Sequence, residues 1–214
     1  MKNIGSQELA TSLIHVAKVV EENKDYLCEL DGEVGDGDHG VSMTIGMRAV
    51  TRAMKSVSLS NTPAEVFQAA ADAYADEVGA TIGPLYEAAF AAAAKAAGDK
   101  KDLNEITDWA NVYEAMAKSI QQLGKAELGD KTMLDSFFPA VDHIHSLTAK
   151  GGSLQAALQS TAKAALAAAV ATKDLVPKKG RASRLGERAI GFQDAGATSL
   201  AIVLQGFADG LASA

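Results

Sequence analysis

The sequence has a single cysteine, Cys28, in 214 residues, which excludes an internal disulfide and suits a reducing compartment. Basic residues are in deficit, with 20 Lys and Arg against 27 Asp and Glu, and the net charge is -7. A surface of that sign cannot replace the counterions of a nucleic acid, so no nucleic-acid partner is expected. No uncharged apolar run reaches the roughly 18–20 residues that cross a bilayer, and Met1–Ser12 lacks the basic-then-apolar order of a signal peptide. These absences predict a cytoplasmic chain with no membrane partner. Ser–His–Asp or Cys–His nucleophile machinery has no local support either.

Aromatics are also scarce, at 5%, while apolar residues reach 48%. The difference is largely alanine, as in Ala91–Ala94 and Ala164–Ala169. Alanine is the best helix former and allows close helix–helix approach, so the composition points to packed helices. Apolar spacing and punctuation give eight of them. The first runs from about Ser6 to Tyr26, and the second carries Met43, Met47, Val50 and Met54. The third opens on Thr62, Pro63 and Glu65, a capping box with proline in the first turn. The fourth begins at Pro84, and the fifth holds Trp109 to Leu123 with Gly124 as its stop. The sixth spans about Lys131 to Ala149, kinked or broken by Pro139; the seventh spans Ser153 to Lys173, and the eighth starts near Ala197. No stretch alternates as a strand does. The fold expected is all-α, one domain over residues 1–214. Between the last two helices, Asp174–Gly196 is too long for an ordinary connection and reads as functional.

Four segments carry chemistry. In Asp31-Gly-Glu-Val-Gly-Asp36-Gly-Asp38-His39-Gly40, placed between two helices, three aspartates and four glycines share ten residues. Magnesium prefers carboxylate and phosphate oxygens and takes few protein ligands, and a helix starting near His39 would point its positive end at the same place. The bland alternative is a solvated acidic turn. A calcium EF-hand is excluded: counted from Asp31, the sixth position is Asp36 where glycine is required. The second segment, Val78–Pro84, offers Thr81 and small residues, or is an ordinary helix–helix turn. The third, Gly124–Met133, resembles a P-loop, but Asp130 intrudes before Lys131 and a helix precedes it where a strand is needed, so the P-loop is rejected. A phosphate contact or a capped turn stays open there. The fourth, Lys178–Ser199, puts five basic residues in eleven positions, suited to phosphate or simply solvated. Of the four histidines only His39 lies in a suspected site; His143 and His145 are two apart and make a poor metal pair.

Taken in order, the motifs Asn23–Leu27, Gly35–Gly40, Gly83–Tyr86, Gly129–Met133, Lys179–Ser183 and Leu185–Arg188 resemble the nucleotide-binding L subunit of dihydroxyacetone kinases over nearly the whole chain. That resemblance implies a barrel of eight antiparallel helices with the nucleotide at one end. It implies two Mg2+ ions on Asp31, Asp36 and Asp38, and ADP or ATP contacts at His39, Gly40, Val41, Ser42, Thr81, Ile82, Gly124, Met133, Arg181, Asp194, Ala195 and Gly196. Arg181 would assist transfer of the γ-phosphate electrostatically, and no general base is expected. The ketose, dihydroxyacetone or a related triose or tetrose, would be held by a separate K-type subunit. The donor would be ATP or, through bound ADP, a phosphohistidine phosphocarrier protein, and a homodimer stays open. The chain departs from the family at Gly79-Ala-Thr-Ile82, at Asp194-Ala-Gly196, and at Arg184 and Phe192, where tyrosine and histidine are frequent. These leave the aspartates intact and bear on nucleotide contact and acceptor. Outside the resemblance, a magnesium-dependent helical hydrolase of a nucleotide-sugar or phosphate ester, or a non-catalytic adaptor, fits the same composition.

Overall fold

The computed structural model describes residues 3–79 and 81–213. Among these are nine α-helices, three short 3-10 turns and no strand. The helices are α1 (Ser6–Glu22), α2 (Lys24–Val34), α3 (His39–Met54), α4 (Pro63–Glu77), α5 (Ile82–Ala97), α6 (Ile106–Gly124), α7 (Leu134–Thr148), α8 (Leu154–Ala171) and α9 (Ala195–Ser213). The capping box expected at Thr62 is present: its hydroxyl accepts from Glu65 N–H, and the Glu65 carboxylate accepts from Thr62 N–H at 2.7 Å.

Several boundaries differ from expectation. The first helix does not end near Tyr26. It bends at Asn23, whose side chain donates to Val19 O at 2.8 Å, and continues as α2 to Val34. Leu27 and Val34 hold α2 against the fold, and Asp31 is therefore helical rather than part of a loop. α5 starts two residues before Pro84, which sits in the first turn where no N–H is required. Gly124 is still helical, and Lys125 takes the left-handed C-cap. α7 begins at Leu134 and keeps Pro139 inside it.

Eight helices close into a ring, α1–α3–α4–α5–α6–α7–α8–α9 and back to α1, with α2 packed outside on α3. Neighbours run antiparallel, as their side-chain pairings require. Ser119 on α6 reaches Ala88 on α5, Gln155 on α8 reaches Ala208 on α9, and Ser12 on α1 reaches Phe207 on α9. The closing seam depends on small residues. A Cβ on Gly206 would stand 3.0 Å from Val16 Cα, and one on Gly210 2.8 Å from Ser12 Cα. Inside the ring lie Trp109, Tyr74, Tyr86, Tyr113, Phe67 and Phe207, all fully buried. By length and composition α9 could cross a membrane, but Asp209 interrupts its apolar run and 67% of the stretch is buried within the protein, as befits a core helix.

Alternation around the ring has one consequence for function. The odd-numbered helices α3, α5, α7 and α9 begin at the same end, where α2, α4, α6 and α8 finish.

Candidate functional site

That end holds an open cavity of about 410 Å³. The first residues of α3, α5 and α9 (His39, Ile82 and Ala195) line it, as does Met133, which precedes α7. No capping side chain satisfies α3, α5 or α7 from its N-cap position, whereas at the opposite end Thr62 and Ser153 cap α4 and α8. Helix starts of this kind present N–H groups and a positive dipole end, each favouring an anion by roughly 0.3–1 kcal/mol.

One wall is acidic. Asp31 from the last turn of α2, Asp36 from the connection and Asp38 before α3 bring carboxylate oxygens within 4.8 Å of one another. Asp31 is fixed by its surroundings: Oδ2 accepts Asp38 N–H at 3.0 Å and His39 N–H at 3.3 Å. Opposite stands Arg181, which pairs with Asp36 and lies 3.9 Å from Asp38 Oδ2. Three converging carboxylates with one guanidinium leave net negative charge, and the all-oxygen donor set fits a hard divalent cation. The remaining wall is apolar, built by Ile82, Leu85, Ile120, Ala126 and Met133. The cavity therefore has a charged half and a half suited to a flat apolar group.

His39 turns its side chain away from this chemistry. Its Nε2 bonds Ser199 Oγ at 2.8 Å, and burial holds its pKa below the usual imidazole value, with Asp31 opposing. At the floor, Asp194 accepts from Ala197 N–H at 2.7 Å and so heads α9. Burial pushes its carboxyl up to about 6.

All four segments singled out in the sequence meet here. Asp31, Asp36, Asp38, His39, Ser42, Thr81, Ile82, Gly124, Met133, Arg181, Asp194, Ala195 and Gly196 all line the cavity. Gly40 and Val41 do not. Gly40 packs α3 onto α2, where an added Cβ would lie 2.0 Å from Lys24 O, and Val41 is exposed. What both can offer a ligand is the first-turn N–H groups of α3. Ala80 lies outside the described residues. The sequence reading did not assign Lys131, Thr132, Lys179 or Leu85, which also line the cavity. Lys179 was legible as part of the basic cluster. Lys131 was not, because nothing in a Gly-Asp-Lys-Thr turn signals that the lysine is buried. His143 and His145 face different partners, Ser160 and Glu114, as their spacing implied.

The family described as the DAK2 domain matches residues 33–209. The PTS-dependent dihydroxyacetone kinase ADP-binding subunit DhaL of Lactococcus lactis is 36% identical over 186 residues, which cover 87% of this chain and 88% of that protein. The D-erythrulose kinase of Mycolicibacterium smegmatis is 37% identical over 206 residues, covering 96% of this chain but 35% of that one. The crystal structure of the dihydroxyacetone kinase from C. freundii in complex with AMP-PNP and Mg2+ aligns with a TM-score of 0.69 at 25% identity. That alignment covers 98% of this chain and 35% of the other, so the chain spans about a third of those longer kinases.

Proposed function

The chain belongs to the DAK2-domain family of dihydroxyacetone-kinase subunits, and on that premise we propose that it is the nucleotide-binding phosphotransfer subunit of a ketose kinase. One observation carries the reading: three clustered aspartates and the starts of four helices border a single cavity whose remaining wall is apolar. Carboxylates alone would repel a polyphosphate, and helix N-termini alone would accept any anion. Together they suit a nucleotide that arrives with metal.

Asp31, Asp36 and Asp38 would hold two Mg2+ ions, which when bound offset charge on the phosphoryl oxygens and keep the transferring group in line. Asp31 is already oriented for this by its two backbone N–H bonds. In the first turn of α3 the backbone N–H groups of Gly40 and Val41 would be offered to the phosphates, since that of His39 is held by Asp31 and that of Ser42 by Asp38 O, and Arg181 would set its guanidinium beside them. Ile82, Leu85 and Ile120 pack the base and exclude water. No side chain is assigned here as general base: His39 Nε2 is engaged with Ser199, and burial lowers its pKa and so weakens it as a proton acceptor. The acceptor, dihydroxyacetone or a related ketose, is supplied by a separate K-type subunit. The L. lactis relative, whose name makes it PTS-dependent and ADP-binding, matches this chain over most of its own length. The donor proposed is therefore a phosphohistidine phosphocarrier that recharges ADP in place.

Titration of the chain with Mg-ADP tests the site. The parent binds, and Asp36→Asn loses affinity by more than the roughly 10–100-fold expected of an outer-shell change. Equal affinity would remove the metal assignment. Phosphorylation of dihydroxyacetone is expected only with the K-type subunit present, whereas steady phosphate release by the isolated chain would favour a hydrolase.

A further inference from the structure

The basic segment between α8 and α9 leaves and returns to the ring at one narrow neck. Gly191 N–H donates to Lys173 O at 2.8 Å and closes it. Just inside, the Lys131 ammonium donates to one carbonyl on each limb, Leu175 O at 3.1 Å and Ala189 O at 2.7 Å. Lys131 is only 2% exposed and its backbone is left-handed, with φ 60°. A lysine in a turn between helices would ordinarily extend into water, and burying its charge is costly unless its protons are taken up. Here two main-chain oxygens from residues over forty positions away take them. The neighbouring Asp130 adds a second attachment: its carbonyl accepts Lys178 N–H at 2.9 Å, and its carboxylate pairs with Lys178 Nζ at 3.3 Å. Beyond these anchors the loop carries Lys179, Arg181 and Arg184 to the cavity, and Arg181 reaches Asp36.

We infer that Lys131 is a positioning residue, pinning both limbs of the basic loop and so holding Arg181 at the phosphate end of the cavity. With the pin in place, the loop is ordered before a ligand arrives. Without it, ordering must be drawn from the binding energy. The pin itself is independent of what binds; its effect on affinity rests on the nucleotide reading above.

The test uses the full chain and Lys131→Met, which keeps the stem and removes the donors. Hydrogen exchange without nucleotide is expected to speed up by about tenfold or more for amides of 176–190 while those of α4–α6 hold. Unchanged loop protection overturns the pin. Mg-ADP titration of Lys131→Met, Arg181→Ala and the double variant then separates routes of action. Acting through Arg181, the single change should weaken binding by about tenfold, and the double variant should be no weaker than Arg181→Ala. Losses that multiply would overturn the positioning role. Lys131→Arg, which keeps charge and donors, should recover part of both readouts, and should Lys131→Met not fold, Lys131→Arg and Lys131→Gln carry the same comparison. Failure of the parent to bind Mg-ADP would defeat the nucleotide reading, and the exchange result would still decide the pin.

Discussion

Burial raises the Asp194 carboxyl to about 6, helped by Asp135 and Asp31 and opposed by the Ala197 N–H and Lys131. In the unfolded chain the same group titrates near its ordinary value, about 3.9. Between roughly pH 4 and 6 the folded state therefore holds a proton that the unfolded state has lost. Stability falls as pH rises through that window, and the penalty is complete above it. Asp194→Asn keeps an acceptor for Ala197 N–H and has nothing to ionise. Its Tm, measured without metal or nucleotide, should gain on the parent's between pH 4 and 7; a constant difference would mean the carboxyl ionises normally. At this scale the sequence disclosed the aspartate trio, because metal chemistry demands clustered oxygens whatever the fold. It did not show that Gly40, read there as a nucleotide contact, also packs α3 onto α2. Gly40→Ala puts a methyl against Lys24 O, a backbone atom that cannot rotate aside. Overpacking of this kind costs about 1–3 kcal/mol, and thermal unfolding and Mg-ADP titration should show stability and affinity falling together as α3 shifts from α2.

Helices were legible wherever an apolar face recurred every three or four residues and a cap marked the start, as at Thr62–Glu65. α2 was hidden because Asp31, Gly32 and Gly35 are turn formers, and only burial of Leu27 and Val34 against neighbours makes the segment helical. That tertiary override moved one metal candidate from a loop onto a helix, which is how it gains a fixed direction. Thr62 offers a control at the other end of the barrel. Thr62→Ala should cost about 1 kcal/mol and lower Tm by about 2–4 °C for a chain of this size, leaving Mg-ADP affinity unchanged. A change in affinity would mean that the two ends of the ring are coupled.

The order of helices around the ring is a property of packing, and the chain hides it: α1 and α9 are neighbours though they are the most distant elements in sequence. The glycines that permit this, Gly206 and Gly210, resemble any others in an alanine-rich helix. Gly206→Val should force the seam apart against Val16, with destabilisation of about 1–3 kcal/mol or more seen in chemical denaturation. The contribution of α9 to the site, Ala195 and Gly196, faces aspartates carried by the first third of the chain. A ligand seated between them acts as a clasp across that join. At a hundredfold excess over its dissociation constant it would add about 2.7 kcal/mol to the intact ring, so loss of the small molecule and springing of the hoop are two views of one event.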